Sequence, residues 1–283
     1  MKLAYVITAH KNPRQLRRLL HAIYVPGNTY VLHVDRKALS TVHAAAGDFA
    51  KSHPNCKVIP PESIIWGSWR LAHAQMRAVR EALRISQEWE YCLNLTAQDY
   101  PLRTHEQVAA ALEQSPGRNY LETLRFAEAS EGPRKRLEHW WIPWRGQMKK
   151  LWRRGRQPEF EVFWGSNYFA LTREACGLLS DSAIAKRMIK TFRFSLCADE
   201  LVFQNILMHS PLKDTVVSKT FRKLVWAGES HPKTFTIIDK DELLASDAFF
   251  ARKFDDEVDS AILDALDERL KSAQQMGAIQ GQA

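Results

Sequence analysis

Leu3 to Ala9 is an apolar run without polar alternation, the pattern of a strand buried on both faces of a sheet. Asn12 stands where a helix cap belongs and Pro13 where a first helical turn tolerates proline. Leu16, Leu19, Leu20 and Ile23 then fall on one helical face, and Pro26-Gly27 ends the element. Tyr30 to Val34 reads as the next strand and delivers Asp35 at its carboxyl end. A helical stretch over 40–52, a short strand at 57–59 and a long helix after Ser68 follow, the last carrying Leu71, Val79, Ala82 and Leu83. Tyr91 to Leu95 is a further strand, ahead of Thr96-Ala97-Gln98-Asp99. Strand, helix, strand, helix, strand predicts an α/β protein with a mostly parallel, Rossmann-like central sheet flanked by helices. In such sheets ligands sit beyond the carboxyl ends of the strands, so His10, Asp35 and Asp99 are expected to converge on one crevice.

The second half is less regular. Val162 to Leu171 reads as a strand interrupted at Gly165-Ser166, followed by helices from about Thr172, over 182–193 and over 199–208. Strands are predicted at 214–218 and 234–238, a short helix capped by Asp239, and a final amphipathic helix over 258–270. No linker, repeat or low-complexity segment divides the chain.

Composition narrows the class. Of 283 residues, 45% are apolar and 25% charged, which excludes a disordered chain. No stretch reaches the roughly 20 apolar residues of a membrane span. The N-terminal apolar run stops at His10-Lys11-Asn12-Pro13 without a small-residue cleavage site, so it reads as a strand and not as an export signal. The four cysteines form no Cys-x-x-Cys pair, which argues against a disulfide framework or a thiolate zinc site. A cytoplasmic globular protein is expected.

The charge is unevenly placed. The net charge is +8, and Arg134 to Arg156 alone hold nine basic residues against Glu138, so the remainder is formally neutral. The same segment carries Trp140, Trp141, Trp144 and Trp152. Nucleic acid, an anionic membrane and an acidic substrate all suit such a segment, and so does a solvated loop whose tryptophans plug the core. A nucleic-acid or anionic-surface binding protein built on residues 134–156 is the alternative function.

Several motifs are missing. There is no Gly-x-Gly-x-x-Gly, no P-loop, no Gly-x-Ser-x-Gly and no His-Glu-x-x-His. A Rossmann-like sheet with an aspartate at a strand end and no glycine-rich loop suits a nucleotide held by base and ribose, as in nucleotide-sugar transferases. Where many of those carry a metal-binding Asp-x-Asp, this chain has Ala97-Gln98-Asp99, with one carboxylate. The literal Asp239-Lys240-Asp241 lies where a helix begins and reads as a charge-complementing cap.

The ordered pieces Ala4-Tyr5-Val6-Ile7, His33-Val34-Asp35, Ile65-Trp66-Gly67, Asp99-Tyr100-Pro101, Gly165-Ser166, Ala198-Asp199-Glu200 and Phe249 to Phe254 carry a resemblance. Over about residues 3–270 the chain resembles the core-2/I-branching and peptide O-xylosyltransferase family (glycosyltransferase family 14), and more the xylosyltransferase branch. The resemblance implies a GT-A-type fold and an inverting, metal-independent transfer from a UDP-sugar to a hydroxyl of a glycan, glycolipid or peptide, with no cofactor and no nucleic acid. One catalytic domain over 1–283 is implied, about 1–125 binding nucleotide and about 126–283 serving acceptor and catalysis. The match carries the general base onto Glu200, with Asp199 a neighbouring carboxylate. Without the resemblance, Glu200 reads more readily as a complement to a helix N-terminus than as a base. Lys233 and Lys253 take the place of a metal at the diphosphate, while His10, Asp35, Trp66 and Asp99 line the nucleotide-sugar pocket. Glu122 and Trp226 match acceptor contacts. If the basic segment touches anionic lipid, the enzyme is peripheral on the inner face of the cytoplasmic membrane. Donor choice between UDP-xylose and UDP-N-acetylglucosamine stays open.

Overall fold

A computed structural model describes residues 1–228 and 232–280, so His231 and the last three residues lie outside the described residues. The N-terminal half alternates as the apolar runs require: β1 (Leu3–Ala9), α1 (Pro13–Ile23), β2 (Thr29–Val34), α2 (Ser40–Ser52), β3 (Cys56–Ile59), α3 (Trp69–Ile85) and β4 (Tyr91–Thr96). The short β5 (Asp99–Pro101) follows. Next comes α4 (His105–Glu113), which begins in a Thr104/Gln107 capping box, and then β6 (Asn119–Leu121) and β7 (Leu124–Arg125). Beyond them lie α5 (Glu131–Glu138), β8 (His139–Trp144), β9 (Gln147–Arg153), β10 (Phe163–Trp164), β11 (Phe169–Thr172), α6 (Arg173–Asp181), α7 (Ala183–Phe192) and α8 (Val202–Met208). The chain closes with β12 (Val216–Val217), β13 (Arg222–Leu224), α9 (Lys240–Ala245), β14 (Phe250–Arg252) and α10 (Ala261–Gln280).

Seven strands form the main sheet in the order β12-β6-β11-β4-β1-β2-β3. Pairing is parallel except at β11, which runs against both β4 and β6. The α/β architecture with a mostly parallel sheet is therefore the observed one. Every residue of β1 and β2 is buried, and successive side chains of β1 serve opposite cores. Leu3, Tyr5 and Ile7 pack under α1, α2 and α10; Ala4 and Val6 pack under α3, α6 and α8. The chain turns one way from β1 to β2 and the other way to β4, which opens a crevice beyond the carboxyl ends of β1 and β4. A three-stranded sheet, β13-β14-β5, brings the C-terminal region to that opening.

Several local expectations need correction. Helix α1 starts at Pro13, but Asn12 adopts a positive φ and makes no cap bond; its side-chain Nδ2 donates to Asp255 Oδ1 instead. Leu71 and Leu83 are only half-buried, and α3 buries the neighbouring face of Ala72, Gln75, Met76, Val79 and Ala82. The predicted 162–171 strand is two short strands, and the 199–208 helix is a 3₁₀ turn at Ala198–Glu200 followed by α8. A similar turn precedes β12, which shortens the 214–218 strand. No strand forms at 234–238. There Thr236 and Asp239 cap each other around a 3₁₀ turn, and Phe235 is drawn into the core. The last helix begins at Ala261, not at 258.

Candidate functional site

His10 follows the last residue of β1, and Asp35 follows the last residue of β2 with its amide bonded to the Ala9 carbonyl at 2.8 Å. The Asp35 carboxylate accepts from the backbone amides of Lys37 (2.8 Å) and Ile64 (3.2 Å), which pins the 60–68 loop against the strand end. Loss of water lowers the His10 pKa; the charges of Lys11, Arg252 and Lys253 lower it further, and Asp35 opposes them. His10 thus feels the charges of Asp35, Arg252 and Lys253. Trp66 is exposed on the same loop. Gly67 turns there with φ +74°, and its carbonyl accepts from the Cys197 amide at 2.7 Å, three residues before Glu200. An added Cβ at Gly67 would also meet Leu196. The nucleotide-side loop and the Glu200 turn are therefore held together by main chain.

Asp99 departs from its expected role. Its side chain is 0% exposed, it accepts from the Thr96 amide at 2.6 Å, and it lies between Arg222 (3.6 Å) and Arg252 (3.5 Å). Arg252 also donates to Thr96 Oγ1, and Arg222 lies over the rings of Tyr168 and Phe250. A carboxylate enclosed in this way ties two buried cations to the end of β4, and direct contact with a ligand does not fit its placement. Burial pushes the Tyr168 hydroxyl up to about 12, against the pull of Arg252 and Arg222, while Asp99 and Asp199 add to the rise. Tyr168 thus lies under Arg222 and feels the charges of Arg252, Asp99 and Asp199.

The two lysines come together through the backbone. The Lys253 amide donates to the Lys233 carbonyl (3.3 Å), and the Phe235 amide to the Lys253 carbonyl (2.9 Å). Lys253 makes no ion pair among the described residues, whereas the Lys233 ammonium lies 2.5 Å from Asp239 Oδ1. Asp239 also accepts from Thr236, so the first carboxylate of Asp239-Lys240-Asp241 is a cap and a lysine partner. Trp226 is exposed and forms an antiparallel bridge to Pro232, next to Lys233.

Glu200 ends the 3₁₀ turn, and its carbonyl accepts from the Gly165 amide at 3.1 Å. A Cβ on Gly165 would overlap the Glu122 carbonyl, so this glycine lets the link between β6 and β7, which carries Glu122, approach the Glu200 turn. The Glu122 carboxylate is fixed by the Ser166 amide at 2.7 Å. Withdrawal from water pushes the Glu200 carboxyl up to about 7; Arg136 opposes the rise, and Asp199 and Glu122 add to it. Asp199 is likewise pushed up to about 6 by burial, against its bond from Asn167 (2.6 Å) and the charge of Arg136. Arg136 donates to Glu200 Oε2. Glu200 and Glu122, expected in different roles, are thus neighbours. The residue missing from the sequence reading is Arg136, which lay within the noted basic segment but had no partner visible along the chain.

That segment is neither a loose loop nor a core plug throughout. It forms α5 and an antiparallel hairpin of β8 and β9. Trp141 and Arg154 fasten the root: the Trp141 amide donates to Phe194, and Arg154 donates to Thr191 and Ser195 while lying 4.3 Å from the Trp140 ring centroid. Among the described residues, no three His, Cys, Asp or Glu side chains gather as a metal cage, and no helix is long and apolar enough to cross a membrane.

Residues 3–245 match the family described as core-2/I-branching enzyme. The Phe249 to Phe254 piece with Lys253 lies just beyond that stretch. The chain is similar to xylosyltransferase 2 of Canis lupus familiaris, with 25% identity over 295 residues covering 95% of this chain and 34% of the relative. It is also similar to xylosyltransferase 1 of the same organism, with 29% identity covering 94% and 30%. The chain thus spans about a third of the length of the curated relatives it matches. Among solved structures, mouse xyloside xylosyltransferase 1 aligns with a TM-score of 0.40 and 11% identity over 89% of this chain and 97% of that one.

Proposed function

Because the chain belongs to the core-2/I-branching enzyme family, we propose that it is a glycosyltransferase that moves a sugar from a UDP-sugar to an acceptor hydroxyl, with inversion and without a metal ion. The observation that carries this reading is Glu200: a carboxyl pushed up to about 7, one oxygen on Arg136, and held at the crevice by Gly165. A general base works best with a pKa near the working pH, and this environment supplies one.

In the proposed step Glu200 Oε1 takes the proton of the acceptor hydroxyl as its oxygen attacks the anomeric carbon. The bond from that carbon to the diphosphate oxygen breaks on the opposite face, and UDP leaves with the bonding electrons. The proton stays on Glu200 until solvent removes it. Negative charge gathers on the departing diphosphate and needs fixed positive charge nearby. Lys253 supplies it, with Lys233 shared between Asp239 and the diphosphate. An ammonium is a compact point charge, so it sets phosphate geometry less strictly than a guanidinium fork. His10, Asp35 and Trp66 hold the nucleotide side, and Glu122 and Trp226 the acceptor side. Asp99 acts one layer back by seating Arg252. The engagement of Asp99 by two arginines supports a metal-free site, since that carboxylate already faces two guanidinium groups and is not open to a metal ion.

The two xylosyltransferases to which the chain is similar make UDP-xylose the first donor to test, with UDP-N-acetylglucosamine second. Hydrolysis of a panel of nucleotide sugars, with and without EDTA, tests the reading. Turnover of one UDP-sugar at the same rate in EDTA is the expected result. A strict Mn²⁺ requirement, or no UDP-sugar turnover or binding, overturns it.

A further inference from the structure

The cations of the basic segment divide into two sets. At its root most are occupied: Arg134 is bonded to the Ala127 carbonyl, Lys135 pairs with Glu131, Arg136 with Glu200 and Arg153 with Glu138, and Arg154 is bonded to Thr191 and Ser195; Arg156, past the end of β9, makes no ion pair among the described residues. Towards the far end, Arg145 in the turn, Lys149 opposite Ile142 and Lys150 opposite Trp141 make no ion pair among the described residues. Arg145 and Lys149 each lie 5.9 Å from the Trp144 ring centroid. Trp144 is 52% exposed, and beside the turn Pro143 is exposed and Met148 half-buried; Trp152, 71% exposed, lies back at the root beside Arg153. Six residues of β8 place this end about 20 Å along the strand from its root.

The turn itself is unusual. Arg145 and Gly146 both have positive φ, at 46° and 85°, as a two-residue I′ hairpin turn requires. The first position favours Asn, Asp or Gly. An arginine there costs backbone energy and places a charge at the extreme tip.

We propose that this hairpin tip is a docking surface for an anionic lipid bilayer. Amphipathic tryptophan rings sit at headgroup level, and each Lys or Arg near an anionic leaflet adds attraction. A projecting tip meets a flat surface. A nucleic-acid strand needs a groove with stacking faces along its path, and here one exposed tryptophan, Trp144, stands beside the turn. The inference goes beyond the transfer reaction and does not depend on it.

The test is co-sedimentation of the full chain with phosphatidylglycerol–phosphatidylcholine vesicles against pure phosphatidylcholine vesicles, at low and physiological salt. Binding to the anionic vesicles alone, weakening as salt rises, is expected. The K149E/K150E double variant should weaken it by about 30-fold or more, and Trp144→Ala should weaken it at unchanged net charge. UDP-sugar hydrolysis and the thermal unfolding midpoint should match wild type in both variants. Absence of binding, equal binding by the variants, or single-stranded nucleic acid bound through the same lysines without any vesicle binding overturns the proposal. Loss of hydrolysis in folded tip variants also overturns it, because the hairpin would then serve the active site.

Discussion

Replacing Arg136 by alanine separates the two effects acting on Glu200. In the wild-type protein, burial, Asp199 and Glu122 raise the carboxyl while the Arg136 guanidinium restrains it, leaving it at about 7. Two unit charges 4 Å apart at an effective dielectric of about 20 interact by about 4 kcal/mol. Here the side chains keep 31% and 29% of their surface in water, which screens the pair. A removable contribution of about 1–2 pKa units is therefore the working figure, in line with carboxylates beside arginine. The sign is upward: without the guanidinium the carboxylate form loses support, and the acid limb of kcat/KM moves to higher pH. At pH 7 the ionised fraction falls from about one half to between about one tenth and one hundredth, so kcat/KM drops about 5- to 50-fold. Above the new limb it returns towards wild type. Asp199 and Glu200 titrate as a unit, so the limb reports the pair. The assay is kcat/KM from pH 5 to 10 for wild type, Arg136→Ala and Arg136→Lys, the last keeping part of the restraint. A limb that stays in place, or an equal loss at every pH, refutes the role given to Arg136.

Three further outcomes follow from the same geometry. Lys253→Ala should weaken UDP binding more than uridine binding in calorimetry, and equal losses would remove Lys253 from the diphosphate. Asp99→Asn leaves Arg222 and Arg252 without their carboxylate in a buried place and should cost about 3–5 kcal/mol in denaturant unfolding, as breaking buried ion pairs does; a neutral result would show that water already serves the arginines. Gly165→Ala drives a methyl into the Glu122 carbonyl and should lower stability by about 1–3 kcal/mol. Native stability together with native turnover would show that Glu122 and Glu200 need no such approach.

What the chain disclosed and what it hid have separate physical origins. Strands β1, β2 and β4 lie buried on both faces, so their apolar runs were readable, and strand ends then placed His10 and Asp35 at the crevice without further information. The face of α1 was equally plain, since Leu16, Leu19, Leu20 and Ile23 are all buried. Contacts between distant segments were invisible. Arg136 and Glu200 are 64 residues apart, and the Asp99 cluster draws on β5, β13 and β14, which come from distant parts of the chain. The hairpin of β8 and β9 escaped because lysines and tryptophans occupy both of its faces, which blurs a two-residue period. At 234–238 the β-branched run suggested a strand, but the Thr236–Asp239 box competes for the same backbone and produces a turn. The resemblance singled out Lys253 within Phe249 to Phe254 and passed over Arg252, whose importance appears only when β14 pairs with β5.

The most direct measurement is made on Glu200→Gln: UDP affinity by calorimetry and sugar transfer by single-turnover kinetics on the same preparation. The account predicts donor affinity within about 3-fold of wild type and a transfer rate reduced about 10²–10⁴-fold, the usual contribution of one positioned base. Transfer at a near-native rate by the folded variant would contradict it.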